Sequence, residues 1–214
     1  LTNVSGMANI RYTPTQEIMA YTSFATGFKS GGFNQLRTLD DPNVRSDFDD
    51  EESTSYEVGL RTTWFDRLIT FNITGFYTNY DEFQAQLFDG SAINVVNAGS
   101  LRSYGTEADL VLLPYEGLVI GSSVGFNIAE YTDFKNGLET ASQKYQETGG
   151  FPSSCNGAIP PGATYDCVQD LTGETLDNAP VWTVSVFSDY EYPLPPMPEI
   201  TLFTRIEYSF MSER

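Results

Sequence analysis

"RLITFNITGFYTNY", residues 67–80, sets Ile69, Phe71, Ile73 and Tyr77 at alternate positions, with Thr70, Asn72, Thr74 and Thr78 between them. Successive side chains of a β-strand point to opposite faces, so this spacing predicts one long strand with an apolar face and a polar face. The pattern recurs. Residues 54–64 set Tyr56, Val58, Leu60 and Trp64 against Ser55, Glu57, Gly59, Arg61 and Thr63, and residues 117–131 set Leu118, Ile120, Val124, Phe126 and Ile128 against Gly121, Ser123, Gly125 and Asn127. Residues 181–192 separate Trp182, Val184, Val186, Tyr190 and Tyr192 from Thr183, Ser185, Asp189 and Glu191, with Phe187 on the polar side. Residues 199–210 separate Ile200, Leu202, Ile206, Tyr208 and Phe210 from Thr201, Arg205, Glu207 and Ser209, with Phe203 as the exception.

Residues 101–113 alternate less cleanly: Tyr104, Ala108, Leu110 and Leu112 oppose Ser103, Gly105, Glu107 and Asp109, while "TEADLVLL" also has helix-forming character. Flanking strands favour a strand here. Residues 16–27 are extended without a decisive face, and 4–12 resemble the end of another strand. The connectors alternate between tight ones (Thr13-Pro14-Thr15, Asp66, Pro114-Tyr115-Glu116 and the Pro-rich 193–198) and long polar, Gly-rich ones at 28–52, 81–100 and 132–179. In an up-and-down meander, all short turns fall on one rim and all long loops on the other.

Composition narrows the function classes. No run approaches the 18 apolar residues of a membrane helix. A charge of -18, from 11 Lys plus Arg against 29 Asp plus Glu, excludes a nucleic-acid partner, which requires a basic surface. The excess is concentrated in 40–52, where Asp40, Asp41, Asp47, Asp49, Asp50, Glu51 and Glu52 stand against Arg45, and this block is read as a solvated loop. Histidine is absent, which removes Ser-His-Asp and Cys-His catalysis and imidazole metal sites, so the chain is not read as an enzyme and no cofactor is expected. Cys155 and Cys167, in a segment rich in Gly, Pro and Ser, point to a short disulfide in an oxidising compartment. The opening "LTNVSGMANI" has neither an initiator Met nor the basic and apolar regions of a signal peptide, as expected of a processed chain or an excerpt.

Alternating strands occur in soluble sandwiches, whose apolar faces meet each other, and in membrane barrels, whose apolar faces meet lipid. Sandwich strands run about 5–6 residues. Ten residues at roughly 3.4 Å each, tilted about 45°, climb about 24 Å, close to the ~25 Å apolar band of an outer-membrane barrel. Trp64, Tyr190, Tyr192 and Tyr77 lie near strand ends, where a membrane boundary favours Trp and Tyr. Phe71, Ile73, Val124, Phe126 and Val184 are therefore assigned to lipid, and Glu57, Arg61, Glu107, Asp109, Arg205 and Glu207 to a wet lumen. The competing reading is a secreted β-sandwich that binds carbohydrate or another surface, whose polar faces simply meet bulk water.

Five segments, "YTSFATGFKSGGFN" (21–34), "STSYEVGLRTTWFD" (53–66), "FNITGFYTNYDEFQ" (71–84), "NAGSLRSYGTEADL" (97–110) and "DNAPVWTVSVFSDYEYPL" (177–194), resemble in order and spacing the β-barrel of TonB-dependent outer-membrane receptors. The resemblance implies an all-β fold: an antiparallel up-and-down transmembrane segment of about eight strands from a 22-stranded barrel in the Gram-negative outer membrane. It further implies an N-terminal plug, coupling through that plug to the TonB-ExbB-ExbD complex, and active import of a small ligand such as a ferric siderophore. Residues 1–214 are then expected to be part of the barrel domain, with the plug and final strands lying outside them. Ligand would first meet the long loops, where Lys29, Arg37 and Arg45 attract an anionic chelate and the neighbouring acidic block opposes it.

Overall fold

The computed structural model describes residues 3–34, 47–88, 93–135, 137–138 and 168–213. Eight long strands form one antiparallel sheet: β1 (Gly6–Tyr12), β2 (Ile18–Lys29), β5 (Glu51–Trp64), β6 (Ile69–Asp81), β9 (Ser100–Tyr115), β10 (Leu118–Asp133), β13 (Trp182–Leu194) and β14 (Met197–Met211). They pair strictly in chain order. Three two-stranded hairpins occupy the long connections: β3 (Gly32–Phe33) with β4 (Asp47–Phe48), β7 (Gln84–Phe88) with β8 (Ile93–Asn97), and β11 (Gly137–Leu138) with β12 (Val168–Gln169). All short turns therefore lie at one rim of the sheet, called here the near rim, and all three hairpins at the other, the outer rim.

The register explains the alternation. One cross-strand row runs Tyr12–Ala20–Leu60–Ile73–Ala108–Val124–Val184–Phe210, without a polar member. The row beside it, on the opposite face, runs Met19–Arg61–Asn72–Asp109–Ser123–Ser185–Ser209. A slip of one residue would exchange the faces of a whole strand, so this separation fixes the register.

The rows are not parallel to the rims. From the β1/β2 turn to the β13/β14 turn, the hairpin tips step down the register by about eight residues over six strand intervals, which at roughly 3.4 Å per residue and 4.8 Å between strands is a tilt of roughly 40–45°. Measured from its own hairpin tip, each apolar-face aromatic toward the outer rim (Phe28, Tyr56, Tyr77, Tyr104, Trp182 and Tyr208) stands about 10–14 residues along its strand. Trp64, Tyr190 and Tyr192 stand about 2–6 residues from theirs. The two aromatic bands are thus level with the rims and roughly 20–25 Å apart.

A sandwich would need a second layer, and among the described residues the eight strands have none. Phe71, Val124 and Val184 lie on one face of one sheet. Val58 in mid-strand is 62% exposed, and Ile206 is 69% exposed. The buried apolar residues Ala98, Leu101, Ala129 and Phe134 gather at the outer rim, where the connections fold against the strand ends.

Several sequence expectations are corrected in detail. The strand predicted over 67–80 begins at Ile69, because Phe65, Asp66 and Arg67 all take left-handed backbone angles in a four-residue turn closed by Leu68 N donating to Phe65 O at 3.1 Å. Pro114 and Tyr115 belong to β9, and the turn is Glu116-Gly117, with Gly117 at φ +84°. The segment "TEADLVLL" is strand throughout, as expected from its flanking strands. The acidic block is not simply a solvated loop: Glu51 and Glu52 open β5, Asp50 Oδ1 accepts from Gly31 N at 2.6 Å, and Glu51 Oε2 accepts from Gln84 N at 2.8 Å. Cys155 and Cys167, with Arg37, Arg45, Asp40 and Asp41, lie outside the described residues.

Candidate functional site: the polar wall and the outer rim

The polar face is a wall of small and hydrogen-bonding side chains interrupted by two braces. In the first, Tyr21 on β2 stands opposite Gly59 on β5, and its ring occupies the space where a glycine Cβ would be, 2.2 Å from the ring. Its hydroxyl donates to Glu57 Oε1 at 2.5 Å and lies 3.1 Å from Thr74 Oγ1 on β6. The Arg61 guanidinium sits over the same ring, 5.6 Å from its centroid. In the second, Phe187 on β13 stands opposite Gly121 on β10 and fills its bare face, with Arg205 of β14 4.8 Å above the ring. Arg205 also pairs with Asp189 at 3.2 Å and Glu207 at 3.3 Å. Both braces stack a guanidinium on an aromatic ring and the ring on a glycine, a cation–π arrangement that spans β2 and β5 in the first and β10, β13 and β14 in the second.

All six residues assigned to a wet lumen, Glu57, Arg61, Glu107, Asp109, Arg205 and Glu207, lie on this polar face. The braces bring Glu57 together with Arg61, and Arg205 together with Glu207. Glu107 and Asp109 stand on β9 between the braces, opposite Thr74 and Asn72 on one side and Gly125 and Ser123 on the other. Phe71, Ile73, Val124, Phe126 and Val184 all lie on the opposite face, where the Phe126 and Trp182 rings meet at 4.8 Å.

Beyond the outer aromatic band, the apolar face turns polar within one row. Arg102 stands opposite Glu130, which accepts its Nε hydrogen at 2.5 Å, and the guanidinium lies 5.8 Å from the Tyr104 ring centroid. The outer rim carries a second polar assembly. Gln84, only 6% exposed, shares the two hydrogens of its side-chain amide among the carbonyls of Lys29, Ser30 and Asp49. An aromatic chain, Tyr80–Phe83–Tyr131–Phe134, joins it to the end of β10, with successive centroids 6.2, 6.3 and 4.9 Å apart.

Tyr21, Gln84, Asn34 and Asn97 were not singled out by the sequence. For Tyr21 the signal was present, since Gly59 breaks the polar face of an otherwise regular strand, but its aromatic partner depends on the register between strands.

The profile of the family described as "TonB dependent receptor-like, beta-barrel" matches residues 1–212. The chain belongs to this family. The family comprises outer-membrane receptors and transporters, not enzymes. Among solved structures, the ferric yersiniabactin uptake receptor FyuA from Yersinia pestis matches 97% of this chain and 25% of its own, at 17% identity and a TM-score of 0.64. The siderophore receptor PiuA from Acinetobacter baumannii matches 95% of this chain and 25% of its own, at 18% identity and a TM-score of 0.59. The alcaligin outer-membrane receptor FauA from Bordetella pertussis matches 96% and 29%, at 14% identity and a TM-score of 0.54. At these identities the likeness is one of fold, and the TonB-dependent receptor segment described here spans about a quarter of the length of those chains.

Proposed function

We propose that this chain is barrel wall and outer rim of a TonB-dependent importer that carries a scarce nutrient, a ferric siderophore complex or similar, across the Gram-negative outer membrane. The apolar face meets lipid, the polar face lines the lumen, the near rim faces the periplasm and the hairpin rim faces outward. The observation that carries this reading is the eight-residue row from Tyr12 to Phe210, without a charged or amide member, backed by the polar row from Arg61 to Ser209 on the other face. In hydrocarbon every backbone polar group must be paired, and a continuous antiparallel ladder meets that demand while presenting apolar side chains to lipid.

On this reading residues 1–214 are part of a barrel domain whose plug and remaining strands lie elsewhere in the protein, with TonB-ExbB-ExbD supplying energy through the plug. The siderophore class is supported by the relatives, named as receptors for ferric yersiniabactin, siderophore and alcaligin. The test is uptake of iron-labelled siderophores by iron-starved cells with and without the intact gene. Uptake lost on deletion of the gene, and equally on deletion of TonB, is the expected result; uptake unchanged for every siderophore class would overturn the iron assignment.

A further inference from the structure

The outer-rim connections 30–50 and 82–99 are separated along the chain by two full strands, yet they share one hydrogen-bond network built from three amide side chains. Gln84 opens β7 and reaches the carbonyls of Lys29 at 3.3 Å, Ser30 at 3.1 Å and Asp49 at 3.1 Å, thereby holding both ends of the first connection. Its own backbone N–H donates to Glu51 at 2.8 Å. Asn97, at the end of β8, accepts from Asp49 N at 2.8 Å and donates to Asp49 O at 3.1 Å and Glu82 O at 2.8 Å. Farther out, Asn34 donates to Val95 O and accepts from Val95 N, both at 2.8 Å, so a side-chain amide takes the place of a strand partner.

We infer that the described parts of these two connections form one cooperative unit pinned by Gln84, so that opening of either is transmitted to the other. Three features carry the inference. Gln84 is buried, and its one amide group serves carbonyls from both ends of the first connection, so its loss removes those bonds together. Asp49 serves as acceptor for both Gln84 and Asn97 and as donor to Asn97, so the pins share a residue. Apart from Asn97 to Glu82, which lies within the second connection, each of these contacts crosses from one connection to the other or to the base of the strands. Side-chain hydrogen-bond networks of this kind can be worth more than the sum of their separate bonds. Gln84 is thus a positioning residue for the described ends of both connections.

Amide hydrogen exchange on the intact protein in lipid nanodiscs tests this, read at Asp49 and Val95, whose N–H groups do not bond to Gln84. Gln84→Met keeps length and bulk while removing the amide. Coupling predicts that exchange at Asp49 and at Val95 accelerates together, by about tenfold or more, while the bodies of β5 and β6 keep their protection. Acceleration confined to Lys29 and Ser30, or to one connection only, overturns the inference. Asn34→Leu attacks the network from its far end, and coupling predicts faster exchange at Asp49 and Gln84 as well as at Val95. If only Val95 responds, the connections are independent. Should Gln84→Met fail to assemble, the Asn34→Leu result decides alone.

Discussion

Tyr21 and Glu57 are joined at 2.5 Å across the bare backbone of Gly59, and this contact reinforces the β2–β5 ladder on the face that carries the charged residues. The glycine is required by space and not by backbone angle: it lies within a regular strand, and the neighbouring ring occupies the volume its side chain would take. Phe187 and Gly121 repeat the solution on β10 and β13. A single-layer sheet lacks a second layer to pack against, so aromatic rings laid across glycines supply part of the lateral packing that a core would otherwise provide.

Gly59→Ala should therefore destabilise the sheet by about 1–3 kcal/mol, the ordinary cost of forcing atoms into filled space. Tyr21→Ala in the same background should recover part of that loss, because the two positions are in contact and their effects do not add. Urea unfolding in lipid vesicles measures both. Equal cost for Gly59→Ala with and without the Tyr21 ring would show that the ring is not what fills the site.

At the outer rim, the Asp170 carboxyl is held below the usual carboxylate range, first by the Thr172 hydroxyl, then by the Thr172 backbone N–H and by the nearby Lys135 charge. The Thr172 N–H donates to Asp170 at 2.9 Å, and the Thr172 hydroxyl oxygen accepts from Phe134 N at 3.1 Å. Because the folded-state value is depressed, the stabilisation is present in full above the unfolded value of about 4 and is lost as pH falls through the lower folded value. Protection of the Thr172 and Phe134 amides should then be constant near neutrality and decline in acid. Asp170→Asn should lower it at neutral pH and abolish the acid-dependent change; an unaltered acid profile in that variant would assign the effect to another group.

The aromatic bands predict fluorescence. Trp64 and Trp182 lie on the apolar face near opposite rims of the sheet. In single-tryptophan variants, lipids brominated near the headgroup should quench Trp64 more strongly than lipids brominated at the chain ends, and both should exceed quenching by an aqueous quencher confined to the barrel interior. Strong aqueous quenching of Trp64 with none from lipid would place that face in water.

The long strands were legible because their information is local. A period of two needs no knowledge of partners, and Ile69, Phe71 and Ile73 state it within five residues. Even "TEADLVLL" resolves once Ala108, Leu110 and Leu112 are placed in rows with Ile73, Phe71 and Ile69. The site was less legible because it depends on offsets between strands. The sequence assigned Glu57 and Arg61 to one face but had no means of placing Tyr21, 36 positions before Glu57, on top of them. Gln84 was hidden for the same reason: "QAQLF" does not alternate clearly, and the carbonyls it bonds come from up to 55 residues away. The turn at Asp66 was legible but its four-residue extent was not, because Phe65 and Arg67 carry no signature for left-handed backbone angles.

The central claim is that lipid, and not water or another protein layer, touches the face of Val124. It is tested most directly by comparing Val124→Arg with Ser123→Arg in unfolding from lipid bilayers. Val124 lies in the apolar row between Ala108 and Val184, and Ser123 in the polar row between Asp109 and Ser185. The account predicts a loss of about 2–4 kcal/mol for arginine at Val124 and at most about 1 kcal/mol at Ser123. Equal losses at the two positions, or the larger loss at Ser123, would contradict it.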